Sequence, residues 1–171
     1  MKISLITVTY NSAETLRDTM QSVINQTFKD VEYIVVDGKS KDATLDIVKE
    51  FEPLFEGRLR WISEPDKGIY DAMNKGVKMA HGDVVGILNS DDFFASNKVL
   101  ETVNATFTEN PALEGIYADV RYVDWHDTSK TVRIFSGKDF KREKLNWGKM
   151  PPHPSFYVKR ECYDKFGLYS L

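Results

Sequence analysis

The chain has 171 residues, 42% hydrophobic and 29% charged, an ordinary globular composition with length enough for one sizeable core, so a single domain over residues 1–171 is expected. Its 23 basic and 26 acidic residues leave a formal charge of -3, which gives nucleic acid no overall attraction, and one cysteine, Cys162, leaves no internal disulfide to form. The composition fits a reducing compartment, with the cytosol as the simple reading, because Ile3 to Val8 is too short for a secretory core and no run approaches the roughly 20 apolar residues of a membrane span.

Ile3 to Thr9 is rich in β-branched residues and apolar almost throughout, as suits a central strand covered on both faces. Asn11-Ser12-Ala13-Glu14 reads as a capping box, with the Asn11 side chain on an N3 amide and Glu14 reaching back. It starts a helix whose Leu16, Met20, Val23 and Ile24 form one stripe. Val31 to Val36 is a second strand ending at Asp37, and a turn through Gly38 and Ser40 leads to a helix carrying Leu45, Val48 and Phe51. Leu59 to Ile62 is a shorter third strand. From Gly68 to Ala80 a helix sets Ile69, Met73, Val77 and Ala80 on one face and points Asp71, Asn74, Lys75 and Lys78 elsewhere, with Gly82 placed to end it. Val84 to Leu88 is a fourth buried strand, closed by Asn89-Ser90-Asp91-Asp92. This alternation predicts an α/β fold, a parallel sheet with helices on both faces. From Leu113 the rhythm changes: Gly115 to Val123 and Thr131 to Phe135 read as an antiparallel pair joined by a turn through His126-Asp127.

Ligands of an open parallel α/β sheet bind outside the carboxyl ends of its strands. Strand one ends in Thr9-Tyr10-Asn11, strand two in Asp37-Gly38 and strand four in Asn89-Ser90-Asp91-Asp92, so each delivers polar groups to one crevice. Carboxylates gathered there repel one another unless a divalent cation and a phosphate-bearing ligand offset them, and oxygen-only ligands point to Mg2+ or Mn2+. Taken singly, each has a plainer reading: Asp37 as a turn residue capping the helix near Ser40, and Asp91 or Asp92 as the N-cap of a helix near Asn97.

Taken together, Thr7-Val8-Thr9-Tyr10-Asn11, Val35-Val36-Asp37-Gly38-Lys39-Ser40-Lys41-Asp42-Ala43-Thr44, Asp66-Lys67-Gly68-Ile69-Tyr70-Asp71-Ala72-Met73-Asn74-Lys75-Gly76 and Asn89-Ser90-Asp91-Asp92 share one order, spacing and strand context. The run from Ile3 to Asp92 resembles the inverting family-two glycosyltransferases of the GT-A fold, the kind found in surface polysaccharide biosynthesis. The resemblance implies a Rossmann-like, mostly parallel sheet with an antiparallel addition in the C-terminal third. Residues 1–92 would form the nucleotide-binding half and residues 93–171 part of an acceptor-side half. It implies metal-dependent transfer of a sugar, with inversion, from a nucleotide-diphosphate-sugar donor to a hydroxyl of a glycan or lipid-linked precursor, with a UDP-sugar as the family's common donor. Tyr10 would stack on the base, Asp37 would accept a base or ribose hydrogen bond, and Asp91 would hold ribose or metal. Asp92 would bind the Mn2+ or Mg2+ that bridges the diphosphate, while Thr9, Asn11, Asp66, Lys67 and Asn74 lie in the motifs around the nucleotide sugar. The ion opposes charge developing on the leaving diphosphate, and a positioned carboxylate takes the proton of the acceptor hydroxyl.

The chain departs from that pattern in places. Gly38 stands where many relatives carry a second acidic residue, Val8 where many carry proline, and Met73 where a number have an arginine near the diphosphate. Lys67 or Lys75 would then supply that positive charge, although Lys75 reads more simply as a surface lysine. His153 falls where relatives often have a histidine lining the donor or acceptor pocket, and an ordered-loop histidine fits equally well; His81 and His126 read as surface residues. The family's catalytic base belongs to an acidic motif beyond a segment like Phe166-Gly167-Leu168-Tyr169, hence past Leu171. The expectation is a C-terminally truncated chain that binds donor yet transfers poorly, and no spacing marks Asp119, Asp124 or Asp164 as a substitute.

Lys138, Lys141, Arg142, Lys144 and Lys149 interleave with Phe140, Leu145 and Trp147. Such a segment suits peripheral contact with anionic lipid at the inner face of a membrane, but a solvated basic helix that packs its aromatics inward is favoured. Homo-oligomerisation stays open. A nucleotidyltransferase would want a Gly-rich phosphate loop where this chain has Tyr10-Asn11-Ser12-Ala13, and a dinucleotide-dependent oxidoreductase would want G-x-G-x-x-G there. A donor-binding module lacking the base is the remaining alternative.

Overall fold

In the computed structural model, which describes residues 1–138, 140–148 and 150–171, the apolar runs become β1 (Ile3–Thr9), β2 (Val31–Asp37), β3 (Leu59–Ser63) and β4 (Val84–Ile87). Between and after them lie α1 (Leu16–Ile24), α2 (Thr44–Phe51), α3 (Ile69–Met79) and α4 (Val99–Glu109). The four strands are parallel and stand in the order β3-β2-β1-β4. Every residue of β1 and β2 is buried, because alternate side chains serve two separate cores. Ile3, Leu5, Tyr33 and Val35 pack on α1, α2 and α4 on one face; Ile6, Val8, Ile34 and Val36 pack on α3 on the other.

The second half adds β5 (Gly115–Ile116), β6 (Val120–Val123), β7 (Thr131–Phe135), β8 (Tyr157–Lys159) and α5 (Arg160–Phe166). Strand β8 lies antiparallel between β4 and β5 and completes a six-stranded sheet, while β6 and β7 form a separate antiparallel pair. The stretch expected as one strand from Gly115 to Val123 is therefore two, each in a different sheet. Gly86 of β4 makes the junction with β8 possible, since a Cβ there would overlap the buried Tyr157 ring.

Four local expectations are corrected. Asn11 caps nothing: its φ is 52°, its Oδ1 accepts the Lys41 amide at 2.9 Å, and α1 begins later, after Thr15. The pattern Asn-x-x-Glu was present, but the loop partners that β2 brings alongside outcompete the helix for the Asn11 side chain. On α3, Ile69 is 53% exposed whereas Asn74 is buried, so the stripe is rotated toward Ala72, Met73, Gly76 and Val77. The helix near Asn97 starts at Val99 with Lys98 as its N-cap, too far along for Asp91 or Asp92 to cap it. Finally, the basic segment is a short 3-10 helix, Arg142–Trp147, that leaves Leu145 and Trp147 exposed. Its three-residue turn gives no 3.6-residue stripe to bury, and only Phe140 packs, edge-on to Tyr117 with centroids 5.4 Å apart. Lys149 and the side chains of Arg142 and Lys144 lie outside the described residues. Among the described residues no helix is long and apolar enough to cross a membrane.

Candidate active site

Because β1 to β4 run parallel, their carboxyl ends share one edge of the sheet, and the topological switch falls between β1 and β4. The loops leaving that edge are laced together. The Gly38 amide donates to the Thr9 carbonyl at 2.9 Å, the Asn11 amide to Ser40 Oγ at 2.8 Å, and the Ser12 amide to Thr44 Oγ1 at 2.8 Å. Ser12 and Ser90 join hydroxyls at 2.9 Å and so tie the β1 loop to the β4 loop. Asp42, for which the sequence reading had no role, accepts the Ala13 amide at 3.1 Å and the Thr44 hydroxyl at 2.6 Å. The signal was there: an Asp side chain readily takes the amide two residues on, here that of Thr44 at 3.1 Å.

On the β2–β3 side of this edge, Tyr10, Gly38 and Asp66 come together. Tyr10 is 59% exposed, and a Cβ on Gly38 would meet Asp66 Oδ2 at 2.5 Å and the Tyr10 ring at 3.3 Å. The missing side chain at position 38 thus lets the Asp66 carboxylate lie against the backbone beside the exposed Tyr10 ring. Asp66 Oδ1 also accepts the Gly68 amide at 3.0 Å. Asp37 stands just beneath and is fully buried; it accepts from the Ser40 amide at 3.0 Å, from the Ser40 hydroxyl, and from Ser63 Oγ at 2.6 Å. Its carboxylate fixes the Gly38–Ser40 floor beneath that pair and has no surface of its own facing the crevice. Thr9, also buried, has an Oγ1 with no hydrogen-bond partner among the described residues, an orphan at the switch point itself.

Beyond β4, Asp91 is exposed and Asp92 half-buried, and Asp92 accepts Asn89 Nδ2 at 2.8 Å. Burial raises the Asp92 carboxyl above its ordinary pKa; the Asn89 amide pulls it back, the Asp91 charge pushes it up again and His153 opposes that. His153 is itself held below its ordinary value by burial, partly offset by Asp92. Asp91, Asp92 and His153 thus form one electrostatic group drawn from two distant segments. No group of three His, Cys, Asp or Glu side chains among the described residues is arranged to hold a metal ion by itself.

The motif on α3 divides. Lys67 is exposed, its amide held by Asp71 Oδ2 at 3.0 Å. Lys75 is not a plain surface lysine: it reaches the Pro65 carbonyl at 2.7 Å and Glu64 at 3.0 Å, and so clasps the β3–α3 loop. Asn74 engages the backbone of Tyr169 with both ends of its carboxamide, each at 2.9 Å, from a side chain that is buried. Tyr169 in turn stacks on Tyr70 with centroids 5.6 Å apart, lies 6.4 Å from the His153 ring, and shares a 3.1 Å hydrogen bond with the Tyr163 hydroxyl.

The family profile of glycosyl transferase family 2 matches residues 4–167, nearly the whole chain. The chain belongs to that family. A PGL/p-HBAD biosynthesis glycosyltransferase of Mycobacterium bovis is 32% identical over 168 residues, which cover 98% of this chain and 63% of that protein. A putative glycosyltransferase of Bacillus subtilis, EpsH, is 28% identical over 130 residues, 76% of this chain and 36% of that one. Among solved structures, S. aureus TarS in complex with UDP-GlcNAc aligns with a TM-score of 0.78 at 21% identity, over 99% of this chain and 48% of that chain. The mannosyltransferase PcManGT from Pyrobaculum calidifontis in complex with GDP-Man and Mn2+ gives 0.76 at 18%, over 99% and 47%. These likenesses establish the GT-A-like fold that the family motifs implied. The chain spans 63% of the length of the mycobacterial relatives and about half of the structural ones.

Proposed function

We propose that this family-two domain binds a nucleotide-diphosphate sugar along the carboxyl edge of β1 to β4 and transfers the sugar, with inversion, to an acceptor hydroxyl. One observation carries the reading: an exposed aromatic ring beside a carboxylate (Tyr10, Asp66) and an acidic group (Asp91, Asp92, His153) flank the switch point on opposite sides. A flat base and a charged diphosphate at the two ends of one ligand match that division. The exposed Tyr10 ring stacks on the base, with uridine as the proposed identity, and Asp66 accepts a hydrogen bond at its edge. Asp37 acts through the Gly38–Ser40 floor that it holds.

Two neighbouring carboxylates, one disfavoured as an anion by burial, suit Mn2+ or Mg2+ shared with diphosphate oxygens. Asp92 and Asp91 would hold it, and when bound it supplies positive charge against the leaving diphosphate. Lys67, whose ammonium makes no ion pair within 4.0 Å among the described residues, is the cation proposed for the diphosphate, since Lys75 is committed to Glu64 and Pro65. That TarS holds UDP-GlcNAc and PcManGT holds GDP-Man with Mn2+ on the same fold supports the donor class.

The test is calorimetric titration of the chain with UDP, with and without Mn2+, on wild type and on Asp92→Ala. Metal-dependent binding that disappears in the variant is expected. Binding that persists unchanged in Asp92→Ala overturns the metal assignment, and no binding by a folded wild type overturns the donor reading.

A further inference from the structure

A cavity of about 1030 Å³ opens from the acidic pair, between α1 and α4 on one side and the β5–β6 segment with Trp125 on the other. It shares Asn89, Asp91 and Asp92 with the site just described, while Tyr10, Gly38, Asp66 and His153 lie outside its lining. Phe93, Phe94, Val99, Val103, Ile116 and Val120 give it apolar walls. Its charge narrows the occupant. Away from the Asp91–Asp92 end four carboxylates line it (Glu14, Asp18, Asp119, Asp124), and among the described residues Arg121 is the one cation of the lining, so a phosphate or other anion is repelled there. A volume at the upper end of small-molecule sites, continuous with the transfer centre, suits a ligand held by surface burial and not by charge.

We propose that this groove takes an uncharged apolar portion of the acceptor, its aglycone, and so delivers the acceptor hydroxyl to the Asp92 end. The inference rests on the donor reading and narrows its acceptor to neutral amphiphiles: molecules with one polar, hydroxyl-bearing end and one apolar end.

The probes are butyl and decyl glucoside, each below its micelle-forming concentration, titrated calorimetrically into the chain, with NMR locating the alkyl protons. Decyl glucoside should bind at least about tenfold tighter than butyl glucoside, given the favourable free energy of each buried methylene. Its chain should show contacts to the Val99 and Val120 methyls. Thr106→Trp, which projects an indole into the groove from α4, should erase the chain-length dependence while thermal unfolding confirms that the variant is folded. Equal binding of the two glucosides, undiminished decyl binding in Thr106→Trp, or equally tight binding of decyl phosphate overturns the proposal. So does a self-associated chain in sedimentation that decyl glucoside dissociates, since a second copy would then own the groove. The wild-type UDP titration separates the two levels. UDP binding without chain-length dependence leaves the donor reading and removes the groove, whereas chain-length dependence without UDP binding removes the donor reading and, with it, the acceptor role.

Discussion

Asn74→Ala separates a residue that touches the donor from one that only positions the chain around it. In the wild type, Nδ2 donates to the Tyr169 carbonyl and Oδ1 accepts the Tyr169 amide, both at 2.9 Å, from a side chain only 6% exposed. Each such bond is worth about 0.5–1.5 kcal/mol net, so the pair contributes about 1–3 kcal/mol to docking residues 167–171 on α3. The aromatic contacts of Tyr169 with Tyr70 and Tyr163 survive the substitution, so the loss is local and global unfolding is not expected. In amide hydrogen exchange under native conditions the Tyr169 amide should exchange roughly 5- to 150-fold faster, the factor that 1–3 kcal/mol represents. UDP affinity should stay within about twofold. Asn74→Asp should fare no better, because it keeps an acceptor but sets a buried carboxylate against the Tyr169 carbonyl. Unchanged exchange at Tyr169 together with a large loss of UDP affinity would refute this reasoning and return Asn74 to the donor site.

Gly86→Ala should destabilise the domain by about 1–3 kcal/mol, because its Cβ must displace the Tyr157 ring at the β4–β8 junction, and thermal unfolding should record a midpoint lower by roughly 2–12 °C. Glu32 predicts acid sensitivity. Burial pushes its carboxyl up, but the Ser4 hydroxyl, the His81 and Gly82 amides and the Lys2 charge together bring it below its ordinary value of 4.5. A depressed carboxylate stabilises the fold above its unfolded pKa and loses that contribution as pH falls through the folded one. Wild-type stability should therefore drop more steeply below pH 4.5 than that of Glu32→Gln, by denaturant titration at a series of pH values; parallel curves would refute it. Asp92 has the opposite sign. Its raised pKa penalises the fold once pH rises through the folded value, so metal-free Asp92→Asn should unfold at a higher temperature than wild type at pH 7 and at the same temperature below the ordinary value of 3.8.

The central half of the fold was legible because its physics is local. A strand covered on both faces must be apolar at consecutive positions, and Ile3–Thr9 and Val31–Asp37 appear where those runs stand. The residues at the strand ends were legible for the same reason, since a parallel sheet puts all its carboxyl ends on one edge. What escaped were partnerships across long separations. Asn74 reads as a polar helix residue facing water until Tyr169, 95 residues on, supplies a backbone to bind. Strand β8 has only three residues, Tyr157–Lys159, and nothing in them announces insertion between β4 and β5. The approach of His153 to Asp92 likewise depends on that insertion, which carries the segment before β8 back to the end of β4.

That insertion also gives the carboxyl edge of the sheet two unlike halves. On the β1–β3 side of the switch point all neighbours are parallel, so every loop at the carboxyl edge follows a strand end and leads toward a helix, the geometry that presents amides and short polar side chains to a phosphate or a base. On the other side β8 runs antiparallel, so its amino end meets the carboxyl end of β4 and brings Pro154 and Ser155 to the rim of the acidic pair. Ser155 donates to the Ala118 carbonyl at 2.6 Å and accepts the Ala118 amide at 3.1 Å, which fastens the β5–β6 segment as the outer wall of the apolar cavity. A single reversal of strand direction thus changes the edge from polar loops to an apolar wall, with Asp91 and Asp92 at the boundary. Under the proposed function that boundary is where a charged donor and an uncharged acceptor would meet, each on the side whose chemistry suits it.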